Sequence, residues 1–366
     1  MKNKRILMIV HTLYQLLNSI NLRKTLLSDI DVVDIMVSDK TKYLNYLYKN
    51  KKLNDVFNKV YYADSSKLPK NKNSKTSNIK QIFNNTKNVK IMLGEKLDVY
   101  DEIFFFNNNE IFYEIYKYQC KRNKNIKFHL YEEGVISYLR ELPKVYTKGK
   151  YTKLIKFIYN CDLSYIDYDM YFYRPKLFVG DSNRDIKNIE LIDVNNKSLV
   201  TSINNAFDFK GLTIKEKYIF FEEAFEFIDD IDEYMNLIDD IAKCVGYENF
   251  IVKRHPRNTK QFPNSKIKLL NTNVSWEIFC INNNLDDKVL FTISSSAAVN
   301  TKTIFDNNAK IILLYKLLKG KFLIMHEKYF EKFFQNICRN DNNIKVVSDK
   351  KQLSKMLNDL EEKIWK

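Results

Sequence analysis

Residues 5–17 read Arg5-Ile6-Leu7-Met8-Ile9-Val10-His11-Thr12-Leu13-Tyr14-Gln15-Leu16-Leu17. Arg5–Val10 is apolar and rich in branched side chains, which predicts a buried strand. The chain then turns polar at His11-Thr12 and continues as an amphipathic helix over Tyr14–Leu27. Strand followed at once by helix is the opening of a parallel α/β fold. Outward from it the pattern repeats. Val32–Val37, Val60–Tyr62, Glu102–Phe106 and Ile126–Tyr131 read as further strands, with a helix over Ile111–Lys121. Ser65–Lys90, rich in Lys, Asn and Ser, reads as a loop with one short helix. The pattern weakens from about Tyr173 to Lys215, where Pro175, Gly180 and Gly211 fall. It resumes with strands at Tyr218–Phe221, Phe250–Lys253, Val289–Ile293, Ile311–Tyr315 and Ile344–Val347, and helices at Ile228–Cys244, Trp276–Ile281 and Leu353–Ile364. The expectation is two α/β domains around a central cleft: residues 1–180, a linker over 181–215, and residues 216–366.

Composition narrows the class. A chain of 366 residues is long enough for two cores. Its 45% hydrophobic content excludes a disordered chain, and 7 Gly with 5 Pro exclude collagen-like or Pro-rich character. No apolar run approaches the roughly 20 residues of a membrane span, and Ile6–Val10 is too short for a signal-peptide core. The five Cys are scattered, with no C-x-x-C spacing, so neither a zinc site nor a disulfide framework is expected. A soluble protein of a reducing compartment follows. The net charge of +15 is spread along the chain. It fits a solvated surface as well as attraction to nucleic acid, a membrane face or a phosphate-bearing substrate.

Four places break the ordinary pattern. Glu132-Glu133-Gly134 follows the strand Ile126–Tyr131, where α/β folds bind ligands. A solvated turn is the plain alternative. Lys253-Arg254-His255-Pro256 ends another strand, and Pro256 biases His255 to an extended backbone. A hydrogen-bonded loop His is equally compatible. Ser294-Ser295-Ser296 precedes Ala297-Ala298 at a strand-to-helix junction, a place suited to a phosphate as well as to a simple N-cap. Ser275-Trp276-Glu277 opens a helix, where Glu277 could bind ribose hydroxyls or complement the helix dipole.

Taken in order, acid-acid-Gly, His-Pro, Glu277 near a helix start and paired Ser resemble the motifs of bacterial sialyltransferases. His11-Thr12-Leu13-Tyr14-Gln15-Leu16-Leu17 is similar to the Thr-x-Tyr-Gln-Leu-Leu opening of glycosyltransferase family 52, which includes lipooligosaccharide and capsule sialyltransferases. Ser275–Asn284 and Lys288–Val299 also resemble the donor segment of family 80 sialyltransferases. The resemblance covers about residues 1–300, in islands. It implies a GT-B fold of two Rossmann-like domains with parallel sheets facing the cleft, acceptor side first and nucleotide side second. It implies an inverting transferase with CMP-N-acetylneuraminate as donor and a galactoside glycan as acceptor.

On that reading Glu133, or its neighbour Glu132, is the general base, and Gly134 shapes their turn. His255, in the His255-Pro256 motif, assists the leaving phosphate. Ser294, Ser295 and Ser296 bind that phosphate, Lys253 adds positive charge, and Glu277 holds the ribose. Tyr14 and Gln15 lie near the acceptor. No metal or other cofactor is implied. Asp167-Tyr168-Asp169 and Asp230-Ile231-Asp232 spell D-x-D but read as surface charge, and Glu222-Glu223-Ala224 is either a rival acid pair that lacks the Gly or a lining of the donor side of the cleft. The basic surface would suit a cytoplasmic enzyme that is peripheral at an anionic inner membrane. The oligomeric state stays open, a homodimer being one option. The competing functions are a GT-B hexosyltransferase using another nucleotide sugar such as UDP-glucose and, more distantly, a non-catalytic nucleic-acid-binding protein. The aromatic residues fall mostly within apolar strands, which argues against the latter.

Overall fold

The computed structural model describes residues 4–69, 84–140, 152–162, 165–258, 260, 262–270, 272, 274–318 and 329–362. β1 (Arg5–Val10) is buried along nearly its whole length and pairs in parallel with β2 (Val32–Ser38) and with β4 (Glu102–Phe105). β3 (Val60–Ala63), β5 (Lys127–Tyr131), β6 (Asp169–Phe172) and β7 (Ile186–Asn188) complete a parallel sheet in the order β3-β2-β1-β4-β5-β6-β7. The second sheet is also parallel. It runs β10-β9-β8-β11-β12-β13, from β8 (Tyr218–Phe221), β9 (Phe250–Lys253), β10 (Lys268–Leu270), β11 (Val289–Thr292), β12 (Lys310–Leu313) and β13 (Ile344–Val346). Strands such as β1, β4, β8 and β11 carry no alternation because helices cover both faces of each sheet.

The predicted strands all form, and three more join them. β6 lies just ahead of the stretch whose pattern weakens, β7 lies within it, and β10 follows the His-Pro loop. β7 falls within residues 181–215, so the first sheet takes its edge strand from the segment read as linker. The same segment supplies the helix Lys197–Ala206, which packs against both Leu13–Lys24 of the first domain and Trp276–Asn282 of the second. The amides of Asn204 and Asn282 exchange hydrogen bonds of 2.7 and 2.8 Å across that contact. A second bridge is the helix Phe330–Asn340, which packs on Val135–Leu139. There the rings of Phe333 and Tyr138 lie 5.5 Å apart. Residues 70–83 of the predicted Ser65–Lys90 loop lie outside the described residues; Asn85–Leu93 is a helix. Within each sheet, parallel strands place all their C-terminal ends on one edge. Every motif singled out above, the two D-x-D patterns apart, follows such an end or opens the next helix. No helix among the described residues is long and apolar enough to cross a membrane.

Candidate active site

The turn after β1 is built by Thr12, whose hydroxyl caps the helix Leu13–Lys24 by accepting the Gln15 N–H. The cap sets Tyr14 and Gln15 on the first turn, and both reach the acid pair after β5. The Tyr14 hydroxyl donates to Glu132 Oε1 at 2.9 Å, and Gln15 Nε2 donates to Glu133 Oε2 at 2.9 Å.

The two acids are not equivalent. Glu132 is fully buried, and its Oε2 accepts the Tyr138 hydroxyl and the Tyr173 N–H. Burial raises its pKa from 4.5 to about 7, against the lowering effect of the hydrogen bonds from Tyr138, Tyr173 and Tyr14. Glu133 is only partly buried, and its hydrogen bonds come from Gln15 and, at 3.3 Å, Asn107 Nδ2. Burial raises its pKa too. A base must be reachable by the hydroxyl it deprotonates, and of the pair only Glu133 faces outward.

Glu132 therefore makes a stability prediction. In the folded chain it stays protonated to about pH 7, whereas unfolded it ionises near 4.5, so folding holds an extra proton between those values. Stability then falls as pH rises through this window, by on the order of 3 kcal/mol from this group alone. Urea unfolding at pH 5 and pH 8 should show a smaller fall for Glu132→Gln than for the parent chain. Equal slopes would remove the burial argument.

A second layer stands behind Glu133. His11, at the end of β1, is buried, and burial with the nearby Lys40 charge lowers its pKa to about 4. The neutral ring bonds Ser38 Oγ through Nδ1 at 2.8 Å and Asn109 Nδ2 through Nε2 at 2.7 Å. Asn109 Nδ2 also donates to Asn107 Oδ1 at 3.0 Å, and the His11 N–H donates to Gln15 Oε1 at 2.6 Å. Both amides that touch Glu133 are thus held in turn. Asn107, Asn109 and Ser38 carried no motif of their own. Their only signal was placement just beyond strand ends.

Gly134 joins the domains. Its φ of +97° is one that L side chains rarely adopt, and a Cβ there would lie 3.3 Å from Asn300 Oδ1 of the second domain. Asn300 Nδ2 donates to Glu277 Oε1 at 3.2 Å, and Glu277 is buried. Lys253 lies within electrostatic reach of Glu277 and 5.9 Å from the centre of the Phe221 ring, and burial lowers its pKa. The acid turn of the first domain and the proposed donor residues of the second therefore meet through Asn300. Asn300 sits one turn beyond Ser296 on the helix Ser296–Thr303, a spacing that could have marked it.

His255 follows β9 as expected. Its N–H donates to Glu222 Oε2 at 2.8 Å, and Arg254 Nε bonds the same oxygen at 3.1 Å. Glu222 is thus the clamp that shapes the His-Pro loop. His255 Nδ1 accepts the Arg257 N–H at 3.2 Å, which assigns the proton of the neutral ring to Nε2. Burial first, then Arg257 and Lys253, lowers its pKa. Pro256 is exposed and opens the turn closed by the Asn258 N–H on the His255 carbonyl at 3.0 Å.

Ser294, Ser295 and Ser296 follow β11, and only Ser296 is helical. The Ser295 N–H donates to Thr292 Oγ1 at 2.8 Å. Ser294 is engaged by Glu223, whose Oε1 accepts its N–H at 2.7 Å and its hydroxyl at 3.2 Å. The rival acid pair thus lies wholly in the second domain, where Glu222 bonds the His loop and Glu223 the Ser loop. Asp169 opens β6 at the opposite sheet edge and pairs with Lys187 at 2.7 Å, and Asp167 pairs with Arg184 at 3.4 Å. Asp230 caps the helix Ile231–Val245, and Asp232 is exposed. Among the described residues no three His, Cys, Asp or Glu side chains gather as metal ligands.

No protein-family model matches this sequence, and no curated protein does. Solved structures do match its fold. The glycosyltransferase of kitacinnamycin aligns with a TM-score of 0.53 at 9% identity, over 98% of this chain and 91% of its own. A putative UDP-N-acetylglucosamine 2-epimerase from Listeria monocytogenes aligns at 0.50 and 10% identity, over 99% and 89%. A sialyltransferase from Photobacterium damsela aligns at 0.48 and 13%, over 94% and 81%. Likeness at these identities is one of architecture: two parallel α/β domains in the GT-B arrangement.

Proposed function

We propose that this chain is an inverting glycosyltransferase that moves N-acetylneuraminic acid from CMP-N-acetylneuraminate to a hydroxyl of a terminal sugar, a galactose, on a cell-surface glycan such as lipooligosaccharide or capsule. The observation that carries the reading is the meeting of Glu133-Gly134 with Asn300 and Glu277 across the domain boundary. On this reading the first domain supplies the base, Glu133, and the second supplies the anion and hydroxyl binders, with Asn300 at the contact between them. The donor side also favours a single phosphate. Diphosphates are commonly cradled by Gly-rich loops. Here residues 216–366 contain only Gly246 and Gly320, and neither belongs to the turn that directly follows β8, β9 or β11 in the sequence.

In the reaction the acceptor hydroxyl attacks the anomeric carbon from the face opposite CMP. Its proton passes to Glu133 as the new C–O bond forms. The bond to the phosphate oxygen breaks with its electron pair on CMP. His255 Nε2–H, Lys253 and the donors at the start of the helix Ser296–Thr303 stabilise that charge. Glu277 accepts ribose hydroxyls, and Asn300 orients Glu277. Tyr14 fixes Glu132, and Gln15 fixes Glu133, so the Thr12 cap links the first helix to the base.

The test is incubation with CMP-N-acetylneuraminate or UDP-sugars and a panel of galactosides, with nucleotide release measured and product linkage followed by NMR. Turnover of UDP-glucose but not of the CMP-sugar would move the chain to the hexosyltransferase class. Full activity is expected in excess EDTA, because Ser, His and Lys groups supply the phosphate contacts. Loss on chelation and recovery with Mg²⁺ or Mn²⁺ would overturn that.

A further inference from the structure

Glu223 lies just after β8, opposite the loop that follows β11, and these strands are neighbours where the order of the second sheet reverses. Such switch points are where open α/β sheets bind ligands. The backbone of Glu223 is pinned on both sides. Its N–H donates to the Tyr234 hydroxyl at 2.8 Å, and its carbonyl accepts Asn258 Nδ2 at 2.7 Å. Only its side chain is free to move, and its Oε1 takes both the N–H and the hydroxyl of Ser294.

Among the described residues no Lys, Arg or His pairs with Glu223, and Arg254 is committed to Glu222. Burial raises the Glu223 pKa, opposed only by the Ser294 hydrogen bonds. A half-buried carboxylate with no cation is an unfavourable arrangement for stability alone. A carboxylate oxygen and a phosphate oxygen make the same demand on an N–H and O–H pair. We propose that Glu223 is an internal stand-in for the donor's phosphate, occupying the Ser294 donors and competing for them with the incoming anion.

The inference rests on the nucleotide-sugar reading. It gives the site a gate: the Ser294 loop keeps its hydrogen bonds when empty, and the returning carboxylate helps expel the nucleotide product. The experiment is calorimetric titration of CMP and cytidine, with UDP and uridine in parallel, into the full chain, Glu223→Gln and Glu223→Ala. Removing the competing charge should tighten nucleotide binding roughly tenfold, about the worth of one charge-assisted hydrogen bond. Nucleoside binding should not change, because it brings no phosphate to the seat. Having two variants guards against one that fails to fold. Unchanged or weaker nucleotide affinity, with or without a lower melting temperature, makes Glu223 a structural cap and overturns the proposal. Equal tightening of nucleotide and nucleoside also overturns it, since the phosphate is then not what Glu223 opposes. If a nucleotide binds the parent chain and Glu223 is inert, only the gate fails. If neither nucleotide binds any of the three proteins, the nucleotide-sugar reading fails and the gate with it.

Discussion

Glu133→Gln is expected to cut transfer by roughly 10²–10⁴-fold, the range for loss of a general base. The variant keeps shape, because the glutamine carbonyl can still accept from Gln15 and Asn107 in the positions held by Glu133 Oε2. It loses the capacity to take a proton. Donor affinity should scarcely change, because Glu133 belongs to the first domain and the proposed donor contacts lie on the second. The measurement is initial rate against acceptor concentration, with CMP affinity from calorimetry. Glu132→Gln is the necessary comparison. Its pKa of about 7 would suit a base, but full burial and its hydrogen bonds to Tyr14, Tyr138 and Tyr173 leave it no access to a hydroxyl. Normal transfer by Glu133→Gln with abolished transfer by Glu132→Gln would reverse the assignment. If neither acid matters, the active site itself is misplaced.

His255→Ala should behave differently and lower both donor affinity and turnover. Its Nε2–H points away from the backbone contacts that fix the ring, namely the Arg257 N–H on Nδ1 and Glu222 on its own N–H. Loss of a hydrogen bond to a phosphate oxygen weakens binding by roughly 1.5–3 kcal/mol, or at least tenfold. Charge that grows on the leaving group should add to this in the transition state, so turnover should fall by about 10²–10³. Separate fits of KM for the donor and kcat test the split. A kcat effect without any change in donor affinity would confine His255 to proton transfer. No effect on either would remove it from the site.

Much of the architecture was legible in the chain. Runs such as Arg5–Val10, Tyr218–Phe221 and Val289–Thr292 are buried on both faces, so their signal is continuous hydrophobicity, which survives without tertiary information. Two of the short edge strands, β7 and β10, gave no such signal. β7 is Ile186-Lys187-Asn188, and its inclusion depends on pairing with β6 rather than on its own composition.

The candidate site divides in the same way. Local chemistry marked Glu132-Glu133-Gly134, His255-Pro256 and Ser294–Ser296, because strand ends, Gly, Pro and helix starts are short-range features. The sequence by itself determined which groups stand at the C-terminal edges of the two sheets. The tertiary structure decided which acid is buried and which is accessible, because Tyr14, Tyr138 and Tyr173 come from three separate segments to enclose Glu132. It also decided that Glu223 holds Ser294 and that Asn300 meets Gly134. These contacts join residues 71 and 166 positions apart, the first a hydrogen bond within the second domain and the second a close approach between domains. No local pattern encodes such a distance, since it is set only when two sheets and the helices between them pack together.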